Sequence, residues 1–127
     1  MTKIEIICRD GNLVLEEGGN FPPYSDEKLE EECGLVPLVR GFKPGKSFLD
    51  IEAGYVTLYR YKPDDGKEVG IVVSGNPLSH RVVAIDEDPQ KAVARGLLAE
   101  LSTVLEHGRI DEIRDVVVVY SKLLEKI

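Results

Sequence analysis

Up to Ile85 the apolar residues of this chain alternate with polar ones or run in short blocks, and beyond Pro89 they recur every third or fourth position. That change of period separates a strand-rich first part from a helical last part. TKIEIICRDGNLVLEEGG predicts a hairpin, because two alternating runs flank Asp10-Gly11, a dipeptide suited to the positive φ of a tight turn. Ile4, Ile6 and Cys8 then share one face with Leu13 and Leu15. A loop, GGNFPPY, follows. Ser25 is placed to cap a short acidic helix that runs through Cys33 and stops at Gly34, with Asp26 and Glu27 favourably near the positive end of its dipole.

LVPLVRGFKPGK reads as a connector, since its prolines argue against a long helix or a central strand. SFLDIEA, YVTLYRYK, EVGIVVSG and HRVVAID predict four strands separated by short turns, hence an antiparallel meander. Asp88 before Pro89 is a helix start, a capping side chain followed by a residue whose missing N–H costs nothing there. Val93, Leu97, Leu101, Val104 and Leu105 form the apolar stripe of that helix, and Gly108 ends it. VVVVY at 116–120 has strand propensity, yet Ile110, Ile113, Val117, Tyr120, Leu124 and Ile127 keep helical spacing, so a second long helix is expected.

The fold class is therefore α+β: an antiparallel sheet (N-terminal hairpin plus meander) with one short and two long C-terminal helices, in the order ββ-α-ββββ-αα. This order resembles that of profilin-like and longin-like domains, in which a small antiparallel sheet carries helices on its faces. The resemblance lies in the elements and implies no activity.

With 127 residues and 43% hydrophobic positions, one domain spanning 1–127 is expected. The chain carries a net charge of −7, unevenly: residues 1–34 sum to −6, residues 35–81 to +2 and residues 82–127 to −3. Overall acidity argues against nucleic acid as a partner and directs any anionic ligand to the middle segment. No apolar run reaches the roughly 20 residues of a membrane-spanning helix, and the start of the chain has no signal-peptide pattern, so a cytoplasmic protein is expected. One Gln, three Asn and one Met beside many Glu, Lys and Arg resemble the composition of heat-stable proteins. Cys8 and Cys33 lack metal-type spacing and read as buried free thiols, a disulfide being the alternative in a hyperthermophile.

Four stretches tempt a chemical reading. GFKPGKS ends like a phosphate-binding loop, but three residues rather than four separate Gly41 from Gly45, Arg40 stands where the first glycine belongs, and a strand follows instead of a helix. VVAIDE, its would-be acidic partner, is explained by helix capping at Asp88. Asp50 with Asp65-x-Lys67 imitates a metal nuclease, yet PDDGK has the chemistry of a turn. His80 lies beside Ser79 and Arg81, but adjacent strand residues face opposite ways and no orienting third group is apparent. His107 suits the end of its helix without a catalytic role.

These features point away from catalysis, and no cofactor or metal set is recognised. The expected function is a non-catalytic protein-interaction or oligomerisation domain, working as a homodimer. Its candidate interface is Tyr55, Tyr59 and Tyr61, which alternate with Val56 and Leu58, together with the small-residue helix stripe Ala92, Gly96 and Ala99. Two alternatives attach to these positions: helices cover the tyrosine face as core, and the stripe packs on the last helix of the same chain. The competing functional reading is a small-molecule or nucleotide-binding protein, or an enzyme, that uses the 41–47 loop and the 79–81 strand start, with Lys43, Lys46, Ser47, His80 and Arg81 as its anion contacts.

Overall fold

The computed structural model describes residues 3–42, 54–64, 66–76 and 79–127. The hairpin β1 (Lys3–Cys8) and β2 (Gly11–Glu16) turns at Arg9 and Asp10, with Gly11 supplying the positive φ, 143°, one position beyond the turn. The short β3 (Asn20–Phe21) lies in what reads as a loop. Helix α1 spans Asp26–Cys33: the Ser25 hydroxyl accepts from the Lys28 N–H at 3.2 Å, and Gly34 closes the helix in the left-handed region at φ 71°.

Strands β4 (Val36–Phe42), β5 (Tyr55–Tyr61), β6 (Val69–Asn76) and β7 (Ser79–Asp86) form the meander, and β3 completes a five-stranded antiparallel sheet of order β3-β7-β6-β5-β4. The expected connector thus contains a strand. Pro37 is tolerated because β4 is an edge strand among the described residues and because the register slips between Pro37 and Val39. The strand expected over SFLDIEA falls outside the described residues. Helix α2 (Pro89–Glu106) starts as expected, the Asp88 side chain accepting from the Gln90 N–H at 2.9 Å. A 3-10 turn over Ile110–Glu112 leads into α3 (Ile113–Glu125), so VVVVY is helical. None of the described helices is long and apolar enough to cross a membrane.

The sheet separates two cores. On one face Val39, Val56, Leu58, Val72 and Val83 pack against α2 and α3 through Ala92, Val93, Val104, Val119, Tyr120 and Leu123. On the other, Tyr59, Ile71, Val73, Val82 and Ile85 pack against the hairpin and α1 through Ile6, Leu15, Leu29 and Cys33. Strict alternation along HRVVAID would place Val82 and Ala84 on one face. Instead Val73 pairs with Val82 and Val72 with Ala84, leaving Val83 as the extra residue of a bulge. Val83 and Ala84 therefore both face the helices, while His80, Val82 and Ile85 belong to the hairpin side.

Two clamps hold the hairpin down. Cys8 and Cys33 are joined by a disulfide, which corrects the expectation of free thiols and ties the end of β1 to the last turn of α1. At the other end Glu17 accepts both Nη2 contacts of Arg95, at 2.7 and 2.9 Å, and also accepts from the Ile85 N–H at 2.8 Å. That bidentate pair joins the hairpin, β7 and α2 in one contact.

Candidate functional site

The tyrosine strip is interior. Tyr55 and Tyr59 are buried, and only Tyr61, at the end of β5, is partly exposed. The hairpin and α1 cover this face, so the tyrosines act as core and as hydrogen-bonding groups. Their polar ends meet Arg40 of β4. Its Nε donates to the Thr57 hydroxyl at 2.7 Å and its Nη2 to Asp26 Oδ1 at 3.0 Å, while the Tyr59 hydroxyl donates to the same Oδ1 at 2.9 Å. The guanidinium also lies over the Tyr55 ring, 4.9 Å from its centre. Burial, and then the adjacent Asp26 carboxylate, push the Tyr59 phenol well above its ordinary range.

His80 completes the group. It is buried, stacks on Phe21 with ring centres 5.5 Å apart, and shares a 2.8 Å hydrogen bond between Nε2 and the Tyr55 hydroxyl. Its Nδ1 has no hydrogen-bond partner among the described residues. Burial, reinforced by the Arg40 charge and opposed by Asp26, lowers the imidazole pKa and favours the neutral ring. Arg40, Tyr55 and His80 line a cleft of about 300 Å³ whose opposite wall is the entrance to α1, from Pro23 to Glu27. The cleft is a poor anion site: its one guanidinium is already paired with Asp26, and Glu27 adds a second negative charge.

Of the residues proposed for anion contact, the two that are described, His80 and Arg81, do not converge. His80 faces this cleft, and Arg81 lies on the opposite face of the sheet in a smaller cavity with Ser74 and Glu100. Lys43, Lys46 and Ser47 lie outside the described residues, as do Asp50 and Asp65 of the nuclease-like pattern. Among the described residues, no three His, Cys, Asp or Glu side chains gather to hold a metal. His107 places Nδ1 2.8 Å from the Thr103 carbonyl, a helix-end contact.

Two of the three residues of the small-residue stripe point inward. Ala92 and Gly96 are buried against the same chain, a Cβ on residue 96 meeting Tyr120 of α3 and Val72 of β6. Ala99 is exposed. Exposed apolar side chains lie elsewhere: Leu38 and Phe42 on β4, Leu98 and Leu105 on α2, Val117 and Leu124 on α3.

Sequence reasoning missed Arg40 and Asp26 because nothing local marks them; they meet only once β4 lies beside β5 and α1 crosses the sheet. Glu100 did leave a signal, as a carboxylate four residues after Gly96 on the closely packed side of α2. No protein-family model matches the chain, and neither the curated proteins nor the solved structures provide a match.

Proposed function

We propose that this chain is a protein-interaction domain that works as a homodimer joined along β4. The observation that carries the reading is the edge that β4 forms among the described residues. β4 is seven residues long, and among the described residues it pairs only with β5. The opposite edge is the two-residue β3, too short to offer a comparable template.

A second copy suits this edge for three reasons. Antiparallel pairing of β4 with its own twofold mate satisfies the outer backbone groups of both strands and closes the assembly in one step. Leu38 and Phe42, 43% and 42% exposed, would gain cover. Arg40 is the one charged residue on β4 and is committed to Asp26, so pairing sets no unpaired like charges against each other.

Light scattering coupled to size exclusion tests this over a wide range of concentration. The expected result is a dimer mass that Leu38→Lys with Phe42→Lys converts to monomer while the circular dichroism spectrum is unchanged. A monomer mass at every concentration overturns the reading, and a dimer that survives the double substitution moves the interface off β4.

A further inference from the structure

The helix face of the sheet holds a group of polar side chains that the dimer reading does not use. Glu100, in the middle of α2, is only 7% exposed, yet its carboxylate takes part in none of the ion pairs of the described residues. Burying a carboxylate without a counter-charge is expensive, so such a group calls for a partner. Arg81 of β7 and Ser74 of β6 are paired neighbours in the sheet and line the same cavity of about 100 Å³ as Glu100. The Arg81 guanidinium is also without an ion pair. Arg109, at the rim, is already held by Glu112 at 3.4 Å. Close by, the Tyr120 hydroxyl is fully buried and makes no hydrogen bond of good geometry among the described residues; burial, and then the charge and the hydrogen-bonding approach of the Glu100 carboxylate, hold its phenol well above the ordinary range.

We propose that this cavity binds a small zwitterion, an α-amino acid with little or no side chain, its ammonium group on Glu100 and its carboxylate on Arg81 and Ser74. The charges select the class. Glu100 and Arg81 cancel, as do Arg109 and Glu112, so a lone anion would leave Glu100 unpaired and a lone cation would leave Arg81 unpaired. A ligand with both charges satisfies the two groups, which do not reach each other directly. Val104 and Val116 line the remainder, and the volume admits a methyl group but no long side chain.

The experiment is an amide-resolved NMR titration of the full chain with glycine and L-alanine, run beside methylammonium, acetate and L-leucine. Saturable shifts around Ser74, Arg81 and Glu100 are expected for glycine or alanine with a millimolar Kd, and at least about tenfold weaker binding for the other three. Arg81→Gln and Glu100→Gln should each weaken binding of the amino acid by about tenfold or more; Arg81 is partly exposed, so that variant remains informative if loss of the buried Glu100 charge disturbs folding. Absence of saturable shifts for both glycine and alanine overturns the proposal. Acetate or methylammonium binding as tightly as the amino acid also overturns it, as does Arg81→Gln binding unchanged.

Discussion

A Cβ on residue 96 would lie 3.1 Å from Cε1 and 3.3 Å from the hydroxyl of Tyr120, so the bare backbone of Gly96 is what lets the Tyr120 ring close against α2. The ring is 0% exposed and Val72, on the other side of the same Cβ, is also fully buried, so neither neighbour has room to yield. Alanine gains about 1 kcal/mol of helix propensity at this position but incurs an overpacking cost of about 1–3 kcal/mol. Gly96→Ala is therefore expected to lose about 1 kcal/mol net in urea unfolding. Tyr120→Phe should behave in the opposite way, because it removes a buried hydroxyl that makes no hydrogen bond of good geometry among the described residues, and a gain of up to about 1 kcal/mol is expected. A loss of that size would show that the hydroxyl is bonded after all.

The Cys8–Cys33 disulfide closes a loop with a sequence separation of 25 residues, for which chain entropy predicts a stabilisation of about 3.5 kcal/mol. Urea unfolding with and without a thiol reductant measures it. A reduced protein as stable as the oxidised one would mean that α1 is held on β1 by packing alone. The effect should also be local, with hydrogen exchange in α1 accelerating on reduction more than exchange in β5 or β6.

How much of this was legible in the sequence depended on how local each determinant is. Ser25 and Gly34 bound α1, and Asp88 with Pro89 opens α2, because capping is settled within four residues. VVVVY is helical as expected, but the buried face is Val116, Val119, Tyr120 and Leu123, while Ile110, Val117 and Leu124 of the expected stripe are exposed. Strand β4 was hidden by Pro37, whose cost vanishes at an edge, and edge position is a property of the sheet rather than of the segment. The bulge at Val83, the disulfide and the meeting of Asp26, Arg40 and Tyr59 all depend on register between distant segments. The tyrosine alternation was real, but which face the hairpin would cover was not encoded near the tyrosines.

His80 supplies a pH dependence with a definite sign. Its folded pKa is lowered from 6.5, first by burial and then by Arg40, although Asp26 acts in the opposite direction. Between the lowered folded value and the unfolded value near 6.5 the unfolded chain binds the extra proton, so stability is intact above that window and falls as pH drops through it. The loss approaches about 1.4 kcal/mol per pH unit within the window. Urea melts at a series of pH values from 7.5 downward should show this slope, and His80→Gln should flatten it. An unchanged slope in the variant would assign the effect to other groups.

Asp26 is the shared acceptor of Arg40 and Tyr59, which makes its replacement costlier than a surface ion pair and non-additive with its partners. The Arg40 side chain is 25% exposed and that of Asp26 35% exposed, so water screens part of the charge and weakens the pair. Asp26→Ala is expected to cost about 2 kcal/mol, leaving both a half-buried guanidinium and a phenol without their acceptor, and Tyr59→Phe about 1 kcal/mol. The two changes remove the same hydrogen bond, so the double variant should lose less than the sum of the singles by about 0.5–1 kcal/mol. Strict additivity would show that Asp26 serves Arg40 alone and that Tyr59 holds its place through packing between the sheet and the hairpin.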